Sequence, residues 1–311
     1  SYIMNNGDML NKGFSISLNG YPVKTKNFRW YMSTYYSVNL NKVQTDDARN
    51  YNLNDYLNGT AVVSGQPIST FYSYKFLGLN PQNGAPMFDD WEDRWHLLQG
   101  KTLDEVVPMI LVNSGTRDPK FSGDLNNTFT YKNWSLSLNF SYSLGSKVRL
   151  FEMYGPIING ISAAANVREE FLDRWQVPGD EKYTVYPLII SPSSPDYEHY
   201  RLHYSAPQRA VGPNSGVPAF ANNVWQMYDD SDLRVVSGNY LKLQSLSFSY
   251  RLNDRLLRKT PFTQLSISFN THNCFTISAK ELRGQDPSQA GFADAGLSIR
   301  PSYTIGLNVS F

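Results

Sequence analysis

The side chains with chemistry to offer fall into three short stretches. Carboxylates gather in FDDWEDRW (88–95) and YDDSDL (228–233), and a mixed charged run, ELRGQDPSQAG, occupies 281–291. Closely spaced carboxylates can act as acid and base or hold Ca2+. The spacing of an EF-hand loop is absent, so a solvated acidic surface is the plain reading and ligand contact the sharper one. Trp91 and Trp95 beside Asp89, Asp93 and Arg94 are the types that bind sugars, since rings stack on pyranose faces and carboxylates accept hydroxyl hydrogen bonds. The same composition suits packing against a covering protein. Tyr228, Asp229 and Asp230 share this reading of substrate or lid contact, as do Arg283, Gln285 and Asp286, although Gly284 and Pro287 also shape a loop by themselves.

Metal and covalent chemistry find less support. Of His96, His199, His203 and His272, only His199 and His203 have the i, i+4 spacing of a helical metal pair, and their surroundings, SPSSPDYEHYRLHYSAP, are bounded by prolines. No metal or cofactor is expected. GxSxG, a Gly-rich phosphate cradle and CxxC are absent, so no catalytic residue is assigned and the chain is not expected to be an enzyme. Cys274 is the single cysteine, which excludes an internal disulfide. The net charge is +1 without a Lys/Arg cluster, so no nucleic-acid partner is expected.

The elements that must carry these stretches are strands. In NWSLSLNFSYSLG, Trp134, Leu136, Leu138, Phe140, Tyr142 and Leu144 alternate with Ser135, Ser137, Asn139, Ser141 and Ser143. KGFSISLNG, FRWYMSTYYSVNL, QSLSFSYRL, TQLSISFN and the ending SIRPSYTIGLNVSF repeat the pattern. A soluble β-sandwich would also alternate, but three features favour a membrane-spanning barrel. The strands run long, roughly 10 to 14 residues, which fits tilted spans needing about 9 to 11. Their polar faces hold Ser, Thr, Asn and Gln with few of the Lys and Glu of a water-facing sheet. Rings such as Trp30, Trp134, Tyr142, Tyr250, Tyr303 and Phe311 lie near strand ends, and 14% aromatic content accompanies a mean hydropathy of only −0.42. No run of about eighteen apolar residues predicts a transmembrane helix, and SYIMNNGDMLNKGF does not read as a signal peptide.

Loop lengths test the barrel independently, because such barrels have short turns at one end and long loops at the other. With Phe311 on the periplasmic side, the strands read backwards as 298–311, 263–274, 239–252, 134–145 and 121–131. Short turns then fall at 253–262, at Lys132 and Asn133, and at 21–27, and every long connection falls outside. Residues 80–120 and 146–238 are expected as extracellular loops, with a pair of strands in 59–79 and a short helix in 165–175 whose Val167, Phe171 and Leu172 share a face.

The stretches DPKFSGDLNNTFTYKNWSLSLNFSYSLG (118–145), FLDRWQVPGDE (171–181), GNYLKLQSLSFSYRL (238–252), ISFNTHNCFTISAKELRGQDPSQAG (267–291) and GQPISTFYSYKFLGLNPQNGAPMF (65–88) occur in family order. With the ending, they resemble the C-terminal third of SusC/RagA-type TonB-dependent outer-membrane transporters of Bacteroidetes. The resemblance implies an all-β fold, residues 1–311 being the C-terminal strands of a roughly 22-stranded transmembrane antiparallel barrel whose plug lies outside this chain. It further implies TonB-dependent import of oligosaccharides or peptides across the outer membrane of a Gram-negative bacterium, with a SusD-like lipoprotein as lid. The remaining partners are TonB, acting through the missing N-terminal part, the rest of the barrel and plug, the glycan or peptide substrate and outer-membrane lipid. Tyr303, Ile305, Leu307, Val309 and Phe311 resemble the terminal signal read by the barrel-assembly machinery. One departure stands out: many relatives carry a DxNxDG-type segment before PKF, and residues 87–118 keep acids without that glycine spacing, so no metal site carries over. Two alternatives remain, a self-contained small outer-membrane barrel or adhesin and a secreted all-β carbohydrate-binding protein.

Overall fold

A computed structural model describes residues 8–44, 51–89, 94–98, 100–157, 166–189, 193–194, 197, 223–289 and 300–311. Seven long strands form one antiparallel sheet: β1 (Met9–Lys24), β2 (Phe28–Val43), β3 (Phe121–Tyr131), β4 (Trp134–Leu144), β5 (Tyr240–Arg251), β6 (Gln264–Ser278) and β7 (Ser302–Ser310). Their order in the sheet is their order in the chain, an up-and-down meander.

Period-two patterning sets the register, since a one-residue slip would move every apolar side chain to the wrong face. One row runs Val23, Trp30, Phe129, Leu136, Phe248, Phe269, Ile305 across all seven strands. A polar row three positions along the strands runs Asn19, Ser33, Asn126, Asn139, Ser245, His272, Ser302. Short hydroxyl and amide bonds stitch the polar side, including Ser247 Oγ to Asn270 Oδ1 at 2.7 Å and Gln244 Nε2 to Ser141 Oγ at 2.8 Å. The apolar face is left uncovered by the chain itself: Leu18 is 60% exposed and Ile305 76%. A sandwich would bury that face under a second sheet, whereas every other sheet among the described residues has only two strands.

Rings on the apolar face fall into two bands. Trp30 stacks on Phe129 at 5.7 Å and Trp134 on Phe248 at 5.2 Å near one end. Phe14, Tyr36 and Phe121 gather toward the other, with Tyr36 and Phe121 stacked at 6.3 Å. The six positions from Trp30 to Tyr36 span about 20 Å at the rise of a strand, the scale of an apolar band between two aromatic girdles.

The connections segregate by end. Residues 25–27 and 132–133 turn tightly, Lys132 taking the left-handed region at φ 51°, and a four-residue helix, Asp254–Leu257, fills the third short link. At the opposite end, 44–120 and 145–239 are long excursions. The strands expected within 59–79 do not join the sheet. Phe28–Val43 pairs directly with Phe121–Tyr131, and Thr70–Tyr74 pairs instead with Leu111–Thr116, so the first excursion begins at 44 and not 80. All five residues Thr70–Tyr74 are buried, and a strand buried on both faces cannot line a wall with one open side.

The second excursion, expected as irregular, packs with the first into one core. Tyr56, Tyr72, Tyr74, Val106 and Val107 meet Met153, Tyr154, Phe171, Trp225, Met227 and Tyr228. The helix expected over 165–175 is a single 3-10 turn, Glu169–Asp173. Phe171 is buried there while Val167 and Leu172 point to solvent, so the three do not share a face. A capping box starts the helix Leu53–Asn58: Asn52 Oδ1 accepts from the Asp55 amide at 3.2 Å and Asp55 Oδ2 from the Asn52 amide at 2.8 Å.

The small-barrel alternative requires the first and last strands to pair. They are the two opposite edges of the sheet, which is open.

Candidate functional site

The residues singled out in the sequence separate into three groups. Asp89 and Arg94 form an ion pair on an exposed loop, and Trp95 begins a short 3-10 turn. Trp91 and Asp93 lie outside the described residues, as do His199 and His203.

Tyr228, Asp229 and Asp230 correct the reading of YDDSDL as a solvated surface. Tyr228 and Asp229 end the helix Val224–Asp229 and are buried. Asp229 accepts the amide hydrogens of Met153 at 2.9 Å, Tyr154 at 2.8 Å and Gly155 at 2.9 Å, which replace the water a buried carboxylate would otherwise lose. Asp230 Oδ1 accepts from Arg149 Nη1 at 2.6 Å. Arg149 Nη2 also donates to the Tyr72 carbonyl at 2.7 Å and to Ser73 Oγ at 3.0 Å, tying the second excursion to the first. Burial pushes the Asp230 carboxyl up to about 6 against the pull of Arg149, with the neighbouring Asp229 charge adding to the rise. Asp229 is raised by burial as well, and Arg234 and the three amides oppose that shift. These acids hold the excursion core together, and alternation and composition give no sign of it because burial here is set by partners distant in sequence.

Gln285 and Asp286 are likewise engaged. Gln285 is buried and bridges the second excursion, accepting from the Phe151 amide and donating to the Arg149 carbonyl, each at 3.0 Å. Asp286 accepts from Lys242 Nζ at 2.8 Å in a pair whose side chains are 3% and 7% exposed. Burial raises its carboxyl, but Lys242 and Ser288 outweigh this and leave it below its ordinary value. Lys242 reaches the polar face because the register shifts between Leu243 and Ser245, so Leu241 and Leu243 stay on the apolar face although Leu246 and Phe248 have the opposite parity. The spacing 241, 243, 246, 248 was the available signal.

Arg283 remains exposed, in the left-handed region at φ 43°. With Lys280 it rims a cleft of about 360 Å³ between the second excursion and the segment after β6. Leu150 and Val236 supply aliphatic surface, Tyr186 and Tyr228 supply rings, and Arg234 and Glu170 lie in the wall. Glu170 is held by Arg168 at 2.6 Å; burial pushes its carboxyl up, and the Arg168 hydrogen bond, a backbone hydrogen bond and the charges of Arg168 and Arg283 together leave it below its ordinary value. Among the described residues no group of His, Cys, Asp and Glu is placed to hold a metal ion.

On the last strand Tyr303, Ile305, Leu307 and Val309 pair with Thr271, Phe269, Ile267 and Leu265 on the uncovered apolar face. Phe311 packs edge-on against Phe262 at 5.3 Å.

No protein-family model matches the chain. TonB-dependent receptor P3 of Formosa agariphila is 23% identical over the whole of this chain, which covers 30% of that receptor. TonB-dependent receptor P39 of the same organism is 21% identical over 99% of the chain and 31% of its own length. Among solved structures, the RagAB peptide transporter superposes on 99% of the chain with a TM-score of 0.65 at 18% identity, the chain covering 30% of it. The RagAB peptide importer in its closed-closed state gives 0.63 at 19% identity. The chain therefore spans about a third of the length of these relatives, whose names are those of receptors and transporters and not of enzymes, and its open sheet is part of a barrel wall. In sequence and in fold it matches a segment of a SusC/RagA-type TonB-dependent receptor.

Proposed function

We propose that this chain is a wall segment of an outer-membrane transporter that imports oligosaccharides or peptides with energy delivered through TonB, working under a SusD-like surface lipoprotein. The observation that carries the reading is the division of the seven-stranded sheet into an uncovered apolar face and a Ser/Asn/Thr face, with tight turns at one end and long packed excursions at the other. The apolar face meets lipid, the polar face meets the plug and the aqueous lumen, and 44–120 and 145–239 form extracellular structure over the entrance. Asp89, Trp91, Asp93, Arg94, Trp95 and Arg283 remain the candidates for substrate or lid contact. Tyr228, Asp229, Asp230, Gln285 and Asp286 support those surfaces from within. The alternating ending through Phe311 serves barrel assembly.

The test is the intact mass of the species carrying this sequence, extracted from outer membranes in mild detergent, with the masses of whatever co-purifies. A species of about three times the 35.4 kDa of this chain, accompanied by a lipoprotein, is expected from its 30% coverage of the relatives. A stable 35.4 kDa species without a companion would overturn the transport reading.

A further inference from the structure

We propose that the cleft between Tyr186, Leu150, Val236, Lys280 and Arg283 binds a ligand that presents one carboxylate beside an apolar group. The inference deepens the transport reading by naming the chemistry of a ligand, and rests on it for the accessibility of the excursions from outside.

Three independent features of the cleft carry it. The first is shape and lining: about 360 Å³ is room for a small organic acid, and the Tyr186 ring with Leu150, Val185 and Val236 provides an apolar floor. The second is charge. Glu170 is committed to Arg168, and the buried Arg234 donates Nη2 to the Phe151 carbonyl at 2.6 Å beside the buried Asp229. Lys280 and Arg283 are exposed, and neither lies within ion-pair distance of a carboxylate among the described residues, although the Arg283 charge acts on Glu170 across the cleft; Glu281 is the other exposed charge of the described lining. The lining cations Lys280, Arg283 and Arg234 outnumber the carboxylates Glu170 and Glu281, a balance that favours a ligand with a negative end.

The third feature is the backbone at Arg283. It adopts φ 43°, ψ 47° directly before Gly284 at φ 91°, closing the turn that follows Lys280–Leu282. Asn or Gly would occupy that left-handed position with less strain, and the turn aims the exposed Arg283 side chain at the cleft lining. Lys280 and Arg283 also border an adjacent hollow of about 430 Å³ beside β6.

The experiment is calorimetric titration of the full-length transporter in detergent with N-acetyl-leucyl-leucine and with its C-terminal amide, which differ only in the charged end. The acid is expected to bind roughly threefold to tenfold more tightly than the amide, with the preference shrinking as salt is raised. Arg283→Asn, which relieves the left-handed strain and keeps the fold, and Lys280→Gln should each reduce that preference while leaving the amide's affinity unchanged. Equal binding of acid and amide by the unaltered protein, or a preference undiminished in both variants, would overturn the proposal. The two readings fail separately: a species that proves not to be a transporter still has its acid preference to measure, and equal binding by an importing transporter removes the cleft alone.

Discussion

Replacing Leu138 by Arg sets lipid-facing burial against lumen-facing solvation at one point of the wall. Leu138 lies near the middle of Trp134–Leu144, between Asn127 on β3 and Leu246 on β5, and Trp134 marks the ring band at the short-turn end. Eleven residues tilted by about 45° rise roughly 25 Å, the height of a barrel's apolar band, so position 138 sits close to the midplane. An arginine there should cost about 2 to 4 kcal/mol, roughly a 30- to 1,000-fold shift in the folding equilibrium. Ser137 faces the other way, its Oγ 3.1 Å from Thr128 Oγ1 and its register partner on β5 being Ser247. Ser137→Arg should lose only that hydroxyl bond, about 1 kcal/mol. Denaturant titration of the full-length barrel refolded into lipid vesicles, read by tryptophan fluorescence and heat-modifiable migration, compares the two. Equal costs, or a larger cost at Ser137, would refute the assignment of the faces.

Arg149→Met should destabilise the excursion core by about 3 to 5 kcal/mol, because it leaves Asp230 buried without its cation. Hydrogen exchange of the Thr70–Tyr74 and Leu111–Thr116 amides would show the loss, and the deficit should shrink at acid pH as Asp230 takes up a proton. Asp230 also gives the unaltered protein a pH dependence. Its carboxyl is raised from 3.8 to about 6, so the folded state holds a proton that the unfolded state has released between those values. Its contribution is full below about pH 4 and is lost as pH rises through about 6. Asp230→Asn should remove that slope from melting temperatures measured between pH 4 and 7, and an unchanged slope would count against the raised carboxyl.

The sheet was legible in the sequence because alternation is a local property. Phe121–Tyr131 was expected with its observed bounds, and Trp134–Leu144 within one residue, since nothing distant is needed to tell Leu136 from Ser137. Stretches whose conformation depends on distant partners were misread. TFYSY, at 70–74, has the residue types of a wall strand, yet it is buried against Leu111–Thr116. Asp229 and Asp230 look like surface acids until Met153, Tyr154, Gly155 and Arg149 arrive from about eighty residues away to satisfy them.

The sequence by itself determined the antiparallel wall, its two faces and which end carries the long connections, because the pleat alternates side chains whatever else the chain does. Only the tertiary structure decided what the excursions are. Desolvating Asp229, Asp230 and Asp286 is tolerable solely where three amides, Arg149 and Lys242 converge, and that convergence is created by packing the two excursions and the segment after β6 together. The same packing leaves Lys280 and Arg283 facing a cleft with few carboxylates, a placement that residue spacing along the chain does not encode.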